Sequence, residues 1–191
     1  MRRVVMGLVL WGAICFTPDL SAQRGRAGGR FWLAAGLGTG WASVSCSMCR
    51  GAHEPGMTGF VRLGGATARH VLVGGEVAAW VGGDDEVRQD GWSISGAAYL
   101  YPERRHRLYL KGGIGYTIHH SEDGTDIVSS TGFGPQLGVG YEFPVEGKWL
   151  LAPFFNAAFG TVGGGVKFNG ATVQGTANVT VVQVGVSAVR K

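Results

Sequence analysis

The sequence predicts an all-β protein, an eight-stranded antiparallel up-and-down transmembrane β-barrel. Three observations predict this fold. Eight segments alternate large apolar residues with small or polar ones, and a period of two residues is typical of strands. Short and long connections alternate between the segments. Glycine accounts for 35 of 191 residues, about 18% against roughly 7% in an average protein, and many glycines lie inside the alternating segments.

The first four predicted strands cover residues 31–43, 58–65, 71–81 and 92–101. In the first strand, large residues such as Leu37 share one face, while the other face carries alanine and glycine. The second and third strands each place one charged residue, Arg62 and Glu76, opposite an apolar face. In the fourth strand, Trp92 and other large side chains lie opposite serines.

The last four predicted strands cover residues 107–118, 132–143, 150–159 and 179–189. The fifth opposes leucine and isoleucine to a face of glycines and Lys111. The sixth has the clearest alternation, and its small-residue face includes Gln136 and Glu142. The seventh places proline and phenylalanine opposite Asn156, and the eighth opposes valines to Gln183.

The connections between these segments differ in length in a regular way. The short ones cover residues 66–70, 102–106 and 144–148, and the long ones cover 44–57, 82–91, 119–131 and 160–178. Outer-membrane barrels have short periplasmic turns and long extracellular loops. We therefore expect the short turns in the periplasm and the long loops outside the cell.

Alternation alone does not say which face points inward. Glycine, alanine and serine dominate one face, and small residues suit the narrow lumen of an eight-stranded barrel. The other face is apolar, and aromatic residues near the strand ends fit interfacial girdles. These residues are Phe31, Trp41, Trp92, Tyr116, Phe133, Tyr141, Phe143 and Phe159. The alternative is a soluble lipocalin-like barrel or periplasmic sandwich with its apolar face inside.

The N-terminal residues are typical of an export signal. Arg2 and Arg3 precede an apolar run at 4–16, and the sequence LSA at 20–22 fits a signal-peptidase site. The run is too short for a spanning helix, although an N-terminal anchor is the alternative. We expect a signal peptide at 1–22 and a barrel domain at 23–191 in the bacterial outer membrane. With a net charge of +4 and no basic block, nucleic acid is not an expected partner.

Three segments carry a family resemblance: GFVRLGG at 59–65, LKGGIGY at 110–116 and GPQLGVGY at 134–141. They resemble the small outer-membrane barrels of the OmpA transmembrane-domain and OmpX type, over essentially all of the mature chain. The resemblance implies contact with outer-membrane lipid and lipopolysaccharide, and with the barrel-insertion machinery during biogenesis. Such barrels usually end in an aromatic residue, whereas this chain ends in AVRK at 188–191.

Four charged residues have the parity of the predicted lumen face, namely Arg62, Glu76, Lys111 and Glu142. Charges buried in a narrow lumen have to be paired or hydrated. We therefore expect an ionic network that plugs the lumen, with Gln136 and the tyrosines Tyr99 and Tyr109 as hydrogen-bond partners. The alternative is a gated path for ions or water.

Cys46 and Cys49 lie in the first long loop. A disulfide between them is expected, because the compartment is oxidising. The alternative is a metal site that also uses His53, although no fourth ligand is evident. We expect no metal and no cofactor.

His119 and Ser121 form a His-x-Ser pair that resembles a motif of outer-membrane lipid A deacylases. Both have lumen-face parity, however, whereas lipid chemistry needs groups that face the bilayer. We interpret them as part of a polar loop and expect no catalytic residues. The acidic residues Asp84, Asp85, Glu86 and Asp90 indicate another solvated loop, or a weak site for calcium or for a cation that bridges lipopolysaccharide.

The sequence thus favours a non-enzymatic outer-membrane barrel with a structural or surface-interaction role and a plugged lumen. Its long loops are the candidate contacts for an extracellular partner, since function often lies on loops held by a rigid scaffold. Three alternatives remain open: a narrow gated channel, a lipid-modifying enzyme and a soluble ligand-binding barrel.

Overall fold

The computed structural model describes residues 31–45, 54–68, 70–83, 87–102, 107–145, 147–163, 165–174 and 178–191. The predicted signal peptide and disulfide cysteines lie outside this part of the chain, as do His53, Asp84, Asp85 and Glu86. No helix within these ranges is long and apolar enough to cross a membrane.

The described residues form eleven strands. They are β1 (Phe31–Ser45), β2 (Glu54–Ala68), β3 (Val71–Gly83), β4 (Val87–Leu100), β5 (Leu108–Asp123), β6 (Asp126–Tyr141), β7 (Phe143–Pro144), β8 (Trp149–Gly160), β9 (Val166–Phe168), β10 (Ala171–Gln174) and β11 (Asn178–Arg190). The eight long strands form the barrel. The short β7 continues the β6 side of the pairing with β8, and β9 and β10 form a hairpin in the last long connection.

The barrel closes through an antiparallel seam between its first and last strands. β1 pairs with β11 from Leu33–Arg190 to Ser45–Asn178. Around the ring the order is β1, β2, β3, β4, β5, β6, β8 and β11, and each strand pairs antiparallel with both neighbours. This arrangement confirms the predicted all-β, eight-stranded up-and-down barrel.

The two faces of the strands point as predicted. On the inward face, Trp32 and Trp80 are only 4% and 1% exposed, whereas the outward Leu37 is 73% exposed. Outward aromatic residues form one girdle near the short turns (Phe31, Tyr141, Phe143 and Trp149) and another near the long loops (Trp41, Trp92, Tyr116 and Phe133). Between the girdles, the outward faces of the eight described strands carry no charged residue.

The strands also continue beyond where the sequence predicted loops. β2 begins at Glu54, and β4 begins at Val87. The prediction of a loop at 119–131 is wrong. In the structure β5 and β6 continue through this segment and join in a tight turn, in which Gly124 has a φ of 58°. A second tight turn, at Asn169 and Gly170, has φ angles of 47° and 85° and joins β9 to β10.

Glycines let the inward strand faces approach closely. Gly38 and Gly185 lie directly opposite each other across the β1–β11 seam. A Cβ atom added at Gly38 would lie 2.1 Å from the carbonyl oxygen of Val184. The outward Gly96, in contrast, has no atom within 4 Å of such a Cβ. The lumen and not the outer face therefore restricts side-chain size.

This contrast predicts that Gly38→Ala destabilises the barrel and Gly96→Ala does not. The seam backbone has to shift in the first variant, and overpacking of this kind costs about 1–3 kcal/mol. The second variant only reduces the freedom of the unfolded chain, so its stability stays equal or rises slightly. Urea titration of each protein refolded in detergent micelles, followed by tryptophan fluorescence, measures both free energies. Equal stability of the two variants would contradict this account of the seam.

Candidate functional site

Three of the predicted lumen charges meet at the centre of the barrel. Arg62 on β2 pairs with Glu76 on β3, so the strand register itself places their side chains together. The Arg62 Nε donates a hydrogen bond to the Glu76 Oε2 atom. Lys111 on β5 approaches the same carboxylate, with its Nζ 2.7 Å from the Glu76 Oε1 atom. All three side chains are at most 2% exposed.

Neutral groups accept further hydrogen bonds from the two cations, although the buried Arg62 Nη2 atom has no partner among the described residues. The Lys111 Nζ also donates to the Gln136 Oε1 atom at 3.2 Å, and the Arg62 Nη1 donates to the Tyr109 hydroxyl at 3.4 Å. One carboxylate faces two cations in this cluster, and the dipoles of these neutral acceptors stabilise the cations without balancing their charge. Gln136 and Tyr109 thus accept hydrogen bonds from the cluster. The hydroxyl of Tyr99, the third partner that the sequence analysis named, has no hydrogen-bond partner among the described residues.

Aromatic rings surround the Arg62 guanidinium. Its Cζ lies 3.7 Å from the centroid of Phe60 and 5.8 Å from that of Phe154. The two phenylalanines pack edge to face with their centroids 4.8 Å apart. A desolvated cation gains about 2 kcal/mol or more from such ring faces. The sequence analysis missed this contact, although Phe60 shares the inward parity of Arg62 and lies two residues away.

Glu142 lies apart from this cluster, at the short-turn mouth of the barrel. Its Oε1 atom accepts a hydrogen bond from the Tyr101 hydroxyl at 2.7 Å, and Lys191 pairs with the other carboxylate oxygen. The Lys191 Nζ also lies 4.3 Å from the ring centroid of Tyr101. Burial and the nearby Glu142 carboxylate raise the pKa of Tyr101, which follows β4, so its hydroxyl stays protonated and can donate.

Buried side chains fill the lumen at three levels. Near the short turns, Trp32 packs edge to face on Tyr99 with their centroids 4.9 Å apart. Phe60 and Phe154 form the next layer with Ala78. A third cluster contains Ala42, Trp80, Val179 and Val181. A cavity of about 220 Å³ at the short-turn mouth is lined by Trp32 and Tyr101, among others. The ionic cluster therefore lies within a packed interior.

The remaining candidate residues lie near the long-loop end. His119 is 6% exposed and stacks on Trp80 with their centroids 5.9 Å apart. The His-x-Ser pair thus has the lumen-facing parity that the sequence indicated. Asp90 lies on the outer face instead, with its Oδ2 atom 3.7 Å from the Nδ1 atom of His120. No group of three or more His, Cys, Asp or Glu residues in the described ranges is placed to hold a metal ion.

The fold is similar to solved structures, although no protein-family model and no curated protein matches the chain. Neisserial surface protein A matches with a TM-score of 0.59 at 14% identity, over 86% of this chain and 99% of that one. For Ail, the attachment invasion locus protein of Yersinia pestis, the TM-score is 0.49 at 13% identity, over 83% and 97%. For the outer membrane protein OprG of Pseudomonas aeruginosa it is 0.47 at 14% identity, over 86% and 97%. At such identities the first likeness confirms the fold alone, that of a small outer-membrane barrel.

The lumen cluster predicts a large loss of stability for Glu76→Gln. This change leaves two buried cations without a counterion, which costs about 3–5 kcal/mol. Glu142→Gln serves as the control, because Lys191 is 31% exposed and can turn to solvent when Glu142, itself 5% exposed, loses its charge. We therefore expect the smaller loss of stability for this variant. Urea titration in micelles measures both losses.

A variant that removes the whole cluster separates charge imbalance from lost packing. Replacing Arg62, Glu76 and Lys111 together by Met, Leu and Met leaves no unpaired charge, so we expect it to recover most of the stability lost in Glu76→Gln. If the triple variant were less stable than Glu76→Gln, the loss would come from lost packing and not from unpaired charge.

Proposed function

We propose that this chain is an integral protein of the bacterial outer membrane, a plugged β-barrel that holds an interaction surface outside the cell. The observation that carries this proposal is the uncharged, apolar outer band between two aromatic girdles. On β5 the band runs from Leu108 to Ile118, eleven residues, and a tilted transmembrane strand needs about 9–11.

Exposure of the band argues for lipid as its solvent. Met57 and Leu37 are 75% and 73% exposed, and Ile94 is 62% exposed. Soluble monomers rarely expose contiguous apolar patches larger than a few hundred Å², whereas this band encircles the barrel. Tryptophan and tyrosine at both edges of the band favour the two interfaces of a membrane. These features support a lipid-facing exterior over a soluble ligand-binding barrel.

The long-loop end supports the interaction role. β5 continues for five residues beyond Ile118 to Asp123, which at about 3.3 Å per residue is roughly 17 Å along the strand. The β9–β10 hairpin pairs with β6 and widens this wall. Ile127 and Val173, on the wall, are 48% and 52% exposed. Apolar residues that lie beyond the lipid suit contact with an extracellular protein partner.

The packed interior argues against conduction. The Phe60–Phe154 layer and the cluster around Trp80 both lie across the lumen. Arg62 and Lys111 are tied to one carboxylate, so opening a path would require breaking buried ion pairs as well as moving rings. A structural scaffold with surface-interaction duties therefore fits better than a gated channel.

Cell fractionation and surface labelling test location and orientation together. We expect the protein in the outer membrane, with gel mobility that shifts on boiling in SDS. In a background with Cys46→Ser and Cys49→Ser, a membrane-impermeant maleimide should label Thr125→Cys in intact cells but Lys148→Cys only after permeabilisation. A soluble periplasmic protein without a mobility shift would contradict the proposal, and the reverse labelling pattern would contradict the orientation.

Planar bilayer recordings test the plugged lumen. We expect the reconstituted wild-type barrel to show no unit conductance steps, because three layers of side chains fill it. Stepwise currents that change in size or selectivity in Lys111→Met would instead support the channel. Glu142→Gln is the matched control, since it removes a charge at the mouth without changing the central cluster.

A further inference from the structure

The cavity of about 220 Å³ at the short-turn mouth combines an apolar wall with polar groups. The wall lies where β2 meets β3, since Ala66 pairs with Leu72 and Ala68 pairs with Val71. The remaining lining residues are Trp32, His70, Tyr101, Arg107, Glu142 and Lys191. The charges of the central cluster are not part of this lining, so the cavity is a separate site.

Two hydrogen-bond donors that line this cavity are buried without a partner. Trp32 is 4% exposed, and its indole Nε1 atom forms no hydrogen bond with the described residues. The buried Nη1 atom of Arg107 likewise has no partner among them. Buried indole and guanidinium groups are normally paired, and neither group can accept a hydrogen bond. Both therefore need an acceptor, for which the cavity provides space.

The electrostatics of the lining favour an anionic acceptor. Glu142 is already engaged at both carboxylate oxygens, by the Tyr101 hydroxyl at 2.7 Å and by the Lys191 ammonium group. Arg107, in contrast, forms no ion pair within the described ranges. A guanidinium group can bind a carboxylate through two parallel hydrogen bonds. The unpaired charge of Arg107 therefore favours a carboxylate in the cavity.

The size of the cavity and its apolar wall limit what this carboxylate is attached to. A volume of about 220 Å³ corresponds to roughly seven water molecules in the liquid. The side chains of Ala66 and Leu72 offer a short alkyl chain an apolar contact, and burying such a chain is favourable. Inorganic phosphate would leave this wall without an apolar partner, and a long fatty acid is too large for the cavity.

We propose that this cavity binds a short-chain monocarboxylate. The carboxylate accepts hydrogen bonds from Arg107 and Trp32, and the sequence analysis gave neither donor a role in binding. The alkyl chain contacts Ala66 and Leu72. The ligand enters from the side of the short turns, where His70 is exposed. That this side faces the periplasm rests on the proposed function.

Titration of the purified barrel with sodium butyrate, followed by ¹H–¹⁵N NMR, tests the site directly. The protein is kept in non-ionic detergent micelles at constant ionic strength, and Trp32→Phe assigns the Trp32 indole resonance. We expect that resonance to shift until the site is saturated, because its N–H gains an acceptor. Acetate should bind about tenfold more weakly, since it has a shorter apolar part. Butyramide, which has the same shape without the charge, should cause no shift.

Three variants test which residues form the site. Arg107→Gln should weaken butyrate binding by roughly 10–100-fold, because it removes the charged donors. Ala66→Leu keeps those donors but fills the cavity, so it should abolish binding. Lys148→Gln is the matched control, because it removes a positive charge at the same end of the barrel from an exposed side chain outside the cavity lining. Its affinity should equal the wild-type value, and heat-modifiable gel mobility shows which samples are folded.

The absence of a saturable shift with butyrate would overturn the proposal and would mean that water alone fills the cavity. An equal response to butyramide, or tighter binding of inorganic phosphate in the same titration, would overturn the assignment of a carboxylate with an alkyl chain. Unchanged affinity in Arg107→Gln would overturn it too, and if that variant does not fold, unchanged affinity in Ala66→Leu would do so.

These outcomes are separate from the test of the proposed function. The titration uses purified protein in micelles, so a failure to bind butyrate leaves the outer-membrane location standing. Fractionation of the protein outside the outer membrane would in turn change only the compartment from which the ligand comes.

Discussion

Backbone hydrogen bonding across the seam between β1 and β11 is the constraint on which the other features depend. In hydrocarbon, each unpaired backbone group costs several kcal/mol, and without the seam both strands would be open edges. Closing the ring with eight strands fixes a narrow lumen that side chains just fill. The inward positions then have to combine large residues that fill the lumen, such as Trp80, with glycines that leave room for neighbouring groups, such as Gly38 and Gly185.

The narrow lumen in turn determines how its charges are used. Burial of ions is costly, and a buried pair by itself does not guarantee stability. The pairing of Arg62 with Glu76 follows from the β2–β3 register, while Lys111 reaches the same carboxylate from β5. A slip of one residue in β3 would turn Glu76 towards the lipid. The cluster therefore penalises wrong registers strongly, which gives buried charge a role in specifying the structure.

Parity along each strand was predictable from the sequence, because lipid and lumen demand different residues on alternate faces. Arg62, Glu76 and Lys111 were assigned to the lumen on this basis, and the structure places them there. Parity does not give height along the barrel axis, which depends on strand stagger. For this reason the sequence grouped Glu142 with the central charges, although it lies at the mouth with Tyr101 and Lys191. The contact of Phe60 and Phe154 with Arg62 was missed, because the sequence does not distinguish an apolar lumen residue that contacts a cation from one that only fills space.

The strand extensions were missed for a different physical reason. Beyond the girdle both faces of a strand meet polar surroundings, so the alternation disappears although the hydrogen-bonded ladder continues. Residues 119–123 and 126–131 read as a loop for that reason, yet they form a paired hairpin. Side chains on paired strands are held more precisely than side chains on loops. The end of the barrel beyond the long-loop girdle is therefore a rigid sheet, which holds the exposed side chains of its outer face in a fixed order.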